Sequence, residues 1–88
     1  YMDIHEISKE RSEVTVKLSK DDLVNICNSL YLQFDKNKNN IRFLQLYSDM
    51  MMIRDLCQYG HIDNFCLDRI TECRNIINNL ANKTESSN

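Results

Sequence analysis

The chain has 88 residues and a mass of 10.5 kDa, which is enough for one domain. It contains one Gly, no Pro and no Trp, so it lacks the turn residues on which β-sandwiches, barrels and Pro-rich linkers depend. Its formal net charge is −2, and no apolar stretch resembles a signal peptide or reaches the roughly twenty residues of a membrane span. We therefore expect a cytoplasmic protein that makes no membrane contact.

The first regular element is a strand over residues 13–18. Its sequence, EVTVKL, alternates polar and apolar residues, which is typical of a half-buried strand. Residues 2–7 form a second strand if residues 8–12 make a hairpin turn, although that turn has no Gly, Asn or Asp. Otherwise the strand needs a partner from a second subunit, because a lone strand leaves its backbone groups unpaired.

A first helix is predicted over residues 20–34. Ser19 is a suitable N-cap, and Asp22 at the N3 position completes a capping-box pattern. The apolar residues that follow recur at three- and four-residue steps and predict one buried stripe. This stripe consists of Leu23, Ile26, Cys27, Leu30 and Phe34. The polar residues 35–40 predict a loop, in which Asn39 or Asn40 caps the next helix.

A second helix is predicted over residues 41–58, followed by Gly60 as the left-handed residue that ends it. Its apolar residues repeat at three- and four-residue steps, which indicates a core-facing stripe. That stripe comprises Phe43, Leu46, Met50, Ile53 and Cys57, and it is widened by Leu44, Tyr47 and Met51.

A third helix is predicted to begin after Asp63 or Asn64 and to end near Leu80. Its apolar face comprises Phe65, Cys66, Ile70, Cys73, Ile76, Ile77 and Leu80. A short turn joins it to the second helix, which favours an antiparallel αα-hairpin. The expected fold is α+β and mostly α: a short N-terminal strand or hairpin, then a three-helix bundle. Residues 1–12 form an N-terminal segment, 13–81 one globular domain, and 82–88 a frayed tail.

The four cysteines all fall at apolar positions of the predicted helices. Because free cysteine behaves as a small buried hydrophobe, we interpret them as reduced core residues. Cys57, His61, Cys66 and Cys73 have side chains that suit a zinc site, and a Cys57–Cys66 disulfide is a further alternative. The spacing lacks the C-x2-C pair of structural zinc sites, so core packing is favoured and no metal or cofactor is expected.

Two arginines interrupt apolar faces. Arg54 lies inside the apolar arc of the second helix, and Arg69 lies in the middle of the apolar face of the third. If the two helices fold back on each other at Gly60, both arginines lie at similar distances from the turn along the helix axes. A buried arginine needs an anion, and two close together need one more strongly because like charges repel.

Two interpretations of this arginine pair remain open. In the first, the stems cover apolar surface while the guanidinium groups reach the edge or pair with Asp55, Asp68 or Glu72. In the second, the pair forms a pocket for a phosphate or a carboxylate, which His61 at the turn could join.

The second helix also carries apolar residues on its otherwise polar side. These are Ile41, Met52, Leu56 and Tyr59. The second helix is thus apolar nearly all round. In a chain of this size, we expect the other two helices to leave part of its surface exposed to solvent. We therefore predict that this strip is an interface, either in a homodimer or with another protein.

No pattern in the sequence supports catalysis. There is no glycine-rich phosphate loop, no H-E-x-x-H and no nucleophile motif, so we do not expect an enzyme. The leading hypothesis is a small non-enzymatic binding protein, such as an inhibitor or adaptor of the phage or mobile-element type. One alternative is the sequestration of a small phosphorylated ligand by the paired arginines.

The second alternative comes from residues 14–23, VTVKLSKDDL. This segment resembles the opening of the ribbon-helix-helix DNA-binding regulators, and the resemblance extends over residues 13–58. It implies that the strand pairs with its twin in a second subunit and reads the major groove. By this resemblance Thr15 and Lys17 would contact bases, and Asn39 or Asn40 would contact phosphate. Protein contacts remain the first hypothesis because a net charge of −2 gives little general attraction to DNA.

Overall fold

A computed structural model of the chain describes residues 2–8, 11 and 13–86, with the backbone alone described for 84–86. A two-stranded antiparallel hairpin comes first, and three helices follow it. The elements are β1 (Met2–Ile7), β2 (Val14–Leu18), α1 (Lys20–Gln33), a short 3-10 helix (Asp35–Asn37), α2 (Ile41–Tyr59) and α3 (Asn64–Ser86). The mostly helical α+β class with an N-terminal hairpin is confirmed. None of the helices described is both long and apolar enough to cross a membrane.

The hairpin carries its apolar residues on one face. Directly opposite pairs are Met2 with Leu18, Ile4 with Val16, and Ile7 with Val14, and a bulge lies between Ile4 and Glu6. Ser8 closes the turn, because its Oγ accepts the N–H of Glu13 at 3.1 Å and its own N–H donates to the Glu13 carbonyl at 2.9 Å. Residues 9, 10 and 12 of the predicted turn lie outside the described residues. The hairpin packs little against the helices, and β1 is exposed along its length.

The start of α1 follows the predicted capping box. Ser19 Oγ accepts the N–H of Asp22 at 3.1 Å, and Asp22 Oδ2 accepts the N–H of Ser19 at 3.1 Å. These bonds satisfy two amides that have no partner within the helix. Leu23 and Cys27 are buried on the predicted face, and Phe34 is buried just beyond the end of the helix.

The central helix is α2, which packs against both α1 and α3. It begins at the cap Asn40, whose Oδ1 accepts the N–H of Phe43 at 3.1 Å, and it ends at Gly60 with φ +76°. Its buried residues are Leu44, Tyr47, Ser48, Met51 and Asp55. Leu44, Tyr47 and Met51 are thus buried as predicted, and Phe43 and Met50 pack against the core. The prediction is wrong for the rest of the stripe, because Leu46 and Ile53 are about half-exposed and Cys57 is exposed.

Two polar residues explain this error. Ser48 and Asp55 belong to the buried face because both are hydrogen-bonded there: Ser48 Oγ donates to the Gln45 carbonyl at 3.0 Å, and Asp55 accepts two bonds. An unbroken apolar repeat does not identify this face as buried, because a serine and an aspartate interrupt it. The regular apolar repeat instead runs along the border of the buried face: Phe43 and Met50 pack against the core, whereas Leu46, Ile53 and Cys57 are exposed.

The buried residues of α3 are Cys66, Ile70 and Cys73. Phe65 was also expected on this face, but its side chain is 77% exposed and stands at the edge of the helix packing. The helix continues to Ser86, past the predicted end near Leu80, because residues 81–86 contain no Gly or Pro to stop it. Most of the predicted frayed tail is thus helical, and residues 87–88 lie outside the described residues.

The molecule exposes more surface than a compact domain. Its accessible surface is 6881 Å², whereas a compact monomeric protein of this mass exposes roughly 5400 Å². Its radius of gyration is 15.0 Å, compared with about 12 Å for a compact domain of this length. The exposed hairpin and the exposed residues 81–83 of α3 contribute to both differences.

Candidate functional site

Side chains from all three helices line a cavity of about 270 Å³. Arg54 enters it from α2 and Arg69 from α3, so the structure brings the two arginines singled out in the sequence to one place. The rest of the lining includes Asn28, Tyr31, Tyr47, Phe65 and Cys66. The cavity therefore combines two cations, aromatic rings and neutral polar groups, which is a composition typical of ligand-binding pockets.

Arg54 is held at one edge of its guanidinium group. Its Nε donates to Asp55 Oδ1 at 3.3 Å, and its Nη2 lies 3.8 Å from Cys66 Sγ. The Cys66 thiol in turn donates to the Met51 carbonyl at 3.7 Å. Burial raises the pKa of Cys66 to about 11, so the thiol stays protonated at neutral pH and brings no negative charge to Arg54.

Arg69 is held by its flat faces. Its Cζ lies 4.6 Å from the ring centroid of Phe34 and 5.6 Å from that of Tyr31, within the range of cation–π contacts. Its Nη1 lies 3.9 Å from Glu72 Oε2, a long contact to a carboxylate that is 45% exposed. An exposed pair of this length contributes little to stability, so ring stacking is what orients Arg69.

The acid partners expected from the sequence are thus partly present. Asp55 pairs with Arg54, and Glu72 lies near Arg69. What the sequence reasoning missed is the second role of Asp55, whose Oδ2 accepts the N–H of Asp63 at 3.0 Å and so fixes the start of α3. The available signal was its helical spacing, because Asp55 follows Met51 by one turn on the buried face.

His61 does not join the arginines. It is exposed in the α2–α3 connection and is absent from the lining of the cavity. Its Nδ1 lies 3.2 Å from the Tyr59 carbonyl, and its ring centroid lies 6.1 Å from that of Tyr59. The anion-binding candidates therefore reduce to Arg54 and Arg69.

The four residues predicted as an interface differ in exposure. Leu56 and Tyr59 are about half-exposed, whereas Ile41 and Met52 are partly buried, and Met52 packs against the core. Leu46 and Ile53, which sequence reasoning placed in the core, are as exposed as Leu56. We define the outer face of α2 as the exposed residues Leu46, Ile53, Leu56 and Cys57, with Met50, which is partly buried and packs against the core, at its edge.

The residues suggested for DNA contact lie at two places. Thr15 and Lys17 are exposed on the polar face of the hairpin, where Lys17 stands opposite Asp3 and Thr15 opposite Glu6. Asn40 lies at the start of α2, and its side-chain oxygen is engaged in the helix cap.

All four cysteines are free thiols. Cys27, Cys66 and Cys73 are buried, as expected, but Cys57 is exposed, so its assignment to the core is wrong. Its position follows from the phase of α2, which turns Cys57 away from α3. In the part of the chain that the structure describes, no group of three or more His, Cys, Asp or Glu side chains could hold a metal ion.

Neither a protein-family model, nor a curated protein, nor a solved structure matches the chain significantly. Function is therefore inferred from the chain's own residues. The two candidate binding regions are the cavity that holds Arg54 and Arg69 and the outer face of α2.

Proposed function

We propose that this is a small non-enzymatic binding protein, of the inhibitor or adaptor kind, that acts through protein–protein contacts and forms a homodimer. The observation that carries the proposal is the outer face of α2, where Leu46, Ile53 and Leu56 are each about half-exposed. Neighbouring exposed apolar side chains on one helix mark an interaction site more often than a solvated surface.

The spacing of this face suits a second helix. Leu46, Met50, Ile53 and Cys57 follow one another at alternating four- and three-residue steps. That repeat places two apolar side chains in every seven residues along one line of the helix. Coiled coils use this arrangement to pack one helix against another. Since α1 and α3 pack against the buried side of α2, a helix of a second copy is the partner that fits.

The surface area supports the same proposal. The chain exposes 6881 Å², which exceeds the value for a compact monomer of its mass by roughly 1500 Å². Each partner in a standard protein interface contributes about 800 Å². The hairpin and the end of α3 contribute to this excess, and a dimer through the outer face of α2 would cover the share that Leu46, Ile53 and Leu56 expose. In this proposal the three helices form a bundle that ends in an αα-hairpin of α2 and α3.

The test is the molecular mass in solution, measured by native mass spectrometry and light scattering. We expect a dimer for the wild-type chain and a monomer for Leu46→Glu and Ile53→Glu, because a buried unpaired carboxylate opposes association. Leu56→Asp extends the test to the edge of the face. Leu32→Glu is the matched control, since Leu32 is an exposed leucine of α1 and its replacement should leave the dimer intact. A monomeric wild-type chain, or dimeric variants, would contradict the proposal.

DNA binding is the second candidate, and it is favoured by the exposed Thr15 and Lys17 on the polar face of the hairpin. Asp3 and Glu6 stand opposite them and weaken the attraction of that face for phosphate. Retardation of duplex DNA that falls with salt and with Lys17→Ala, but not with Arg74→Ala, would support this candidate. No salt-dependent retardation would remove it.

A further inference from the structure

Two guanidinium groups face one cavity from different helices. Only about a quarter of each arginine side chain is exposed: 25% for Arg54 and 24% for Arg69. A fully buried arginine almost always has an anionic partner, and these two arginines are about three-quarters buried. The partial burial also strengthens any charge–charge interaction made in the cavity, because less water screens it.

The nearby carboxylates take up only part of the hydrogen-bonding capacity of the two guanidinium groups. Asp55 is buried and uses one oxygen for Arg54 Nε and the other for the Asp63 amide, so its hydrogen bonds leave the terminal nitrogens of Arg54 to other partners. Within the described part of the chain, the hydrogen-bond contact of Arg54 Nη2 is to the protonated Cys66 thiol, at 3.8 Å. For Arg69, the carboxylate within reach is that of Glu72, at 3.9 Å and half in solvent. Among the residues that the structure describes, the cavity lining thus contains two arginines and no carboxylate, because Asp55 and Glu72, which pair with these arginines, lie outside the lining.

We propose that this cavity binds a small organic phosphate monoester, with the phosphate group between Arg54 and Arg69. A carboxylate has two oxygens, which a single guanidinium fork already satisfies, whereas a phosphate monoester has three terminal oxygens and can accept hydrogen bonds from two forks. Its charge of about −1.5 to −2 at neutral pH also matches two cations better than a single negative charge does.

The aromatic rings at the cavity indicate what the rest of the ligand is like. Phe65 is 77% exposed, and Tyr31 is more than half-exposed, although both line the same cavity as the arginines. Exposed rings next to a charged site offer flat apolar surface to a ligand. A volume of about 270 Å³ suits a single ring rather than a larger molecule. The ligand is therefore an aryl phosphate or a compound of similar shape.

The direct test uses phenyl phosphate as the probe, with inorganic phosphate and phenol for comparison. Amide chemical shifts of the ¹⁵N-labelled protein are followed at increasing probe concentration. We expect saturable binding of phenyl phosphate with a dissociation constant of about 1 mM or lower, and shifts at Asn28, Tyr31 and Cys66, which line the cavity. Inorganic phosphate should bind more weakly, and phenol should not bind at these residues. Absence of saturable shifts with phenyl phosphate would overturn the proposal.

Variants separate the cavity from general electrostatics. Arg54→Gln and Arg69→Gln should each weaken phenyl phosphate binding about tenfold or more, because each removes charge-assisted hydrogen bonds. Arg74→Gln removes the same charge from an exposed position of α3 outside the cavity and should leave affinity unchanged. An equal loss in Arg74→Gln, or full affinity in both cavity variants, would overturn the proposal.

One more variant keeps the test decisive if an arginine substitution unfolds the chain. Phe65→Ala replaces an exposed ring and should leave the far-ultraviolet circular dichroism unchanged. It should weaken phenyl phosphate binding several-fold while inorganic phosphate binding stays the same, and unchanged affinity for both probes would count against the proposal. Because the cavity is separate from the outer face of α2, the dimer test and this test can fail independently.

Discussion

Asp55 accepts the backbone N–H of Asp63 at 3.0 Å and thereby joins the last turns of α2 to the start of α3. The same carboxylate accepts a hydrogen bond from Arg54 Nε at 3.3 Å. Asp55 is only 2% exposed, so a single buried charge both anchors the connection between two helices and orients an arginine of the cavity. Stability and ligand binding therefore share this side chain.

Replacing Asp55 should destabilise the fold strongly. Asp55→Ala leaves a partly buried guanidinium and a backbone amide without their acceptor, and we expect a loss of about 3 kcal/mol in the free energy of unfolding. Asp55→Asn keeps an acceptor oxygen and should cost less. Urea denaturation measures both, with Asp49→Ala on the exposed side of α2 as a control that should change stability by no more than about 0.5 kcal/mol. Equal stability of Asp55→Ala and Asp49→Ala would show that the bond to Asp63 contributes nothing.

Gly60 is the position where the backbone itself limits substitution. It ends α2 with φ +76°, and a Cβ there would meet no atom within 4 Å. The cost of Gly60→Ala is therefore conformational alone, about 1–2 kcal/mol. Gly60→Asn should cost less, because asparagine tolerates the left-handed region better. Thermal unfolding of the two variants provides the comparison, and a higher melting temperature for the alanine variant would refute this account of the helix end.

The cysteines should react in two distinct classes. Cys57 is exposed, whereas Cys27, Cys66 and Cys73 are buried. Burial also raises the pKa of all three buried thiols, which lowers their thiolate fraction. In a monomeric variant such as Leu46→Glu, a thiol reagent at neutral pH should therefore modify Cys57 rapidly and the other three thiols only after denaturation, whereas the proposed dimer should protect Cys57 as well. Peptide mapping identifies the site, and a Cys57→Ser variant should show no rapid phase.

Alkaline pH should weaken the fold. Burial raises the pKa of Cys66 from its ordinary value of 9.0 to about 11. Between these values the unfolded chain has released the proton that the folded chain retains, so unfolding becomes more favourable as pH rises. The contribution is fully present below pH 9 and is lost as pH rises through 11.

The matching measurement is the free energy of unfolding against pH over the same range. Cys66→Ser removes the titrating group, so its curve should be less steep by up to about 1.4 kcal/mol per pH unit. Both variants are compared in the Leu46→Glu background, where the proposed dimer is absent; there Cys57→Ser is the control and should retain the parent slope, since that thiol is exposed in the folded chain too. Parallel curves for the parent and Cys66→Ser would rule out this thiol as the cause.

Local sequence rules predicted the capped starts of α1 and α2 and the end of α2 well, although they ended α3 six residues too early. Ser19, Asn40 and Gly60 each occupy the cap that their residue type favours, because capping depends on a few neighbouring atoms. The buried face of α2 was not predictable in the same way. A serine and an aspartate lie on it, and their hydrogen-bond partners are visible only once the helix and its connection to α3 are in place.

The convergence of Arg54 and Arg69 could be anticipated, because helical spacing and the short turn at Gly60 fix their heights. Their surroundings could not. Phe34 and Tyr31, which stack with Arg69, come from the region of α1. The periodicity of the sequence does not indicate which helix packs next to Arg69. Exposure of Phe65 likewise depends on the angle at which the helices cross rather than on its own pattern.

Because the hairpin packs weakly against the helices, we expect the chain to unfold as two cooperative units of unequal stability. A two-stranded hairpin is marginal in water by itself, so its amides should exchange with solvent through openings that leave the helices folded. Amides in the buried parts of α2 and α3 should exchange only through global unfolding. The hairpin is thus the part of the chain that can rearrange at little energetic cost. Any molecule that covers its apolar face would lower the rate at which the two strands separate.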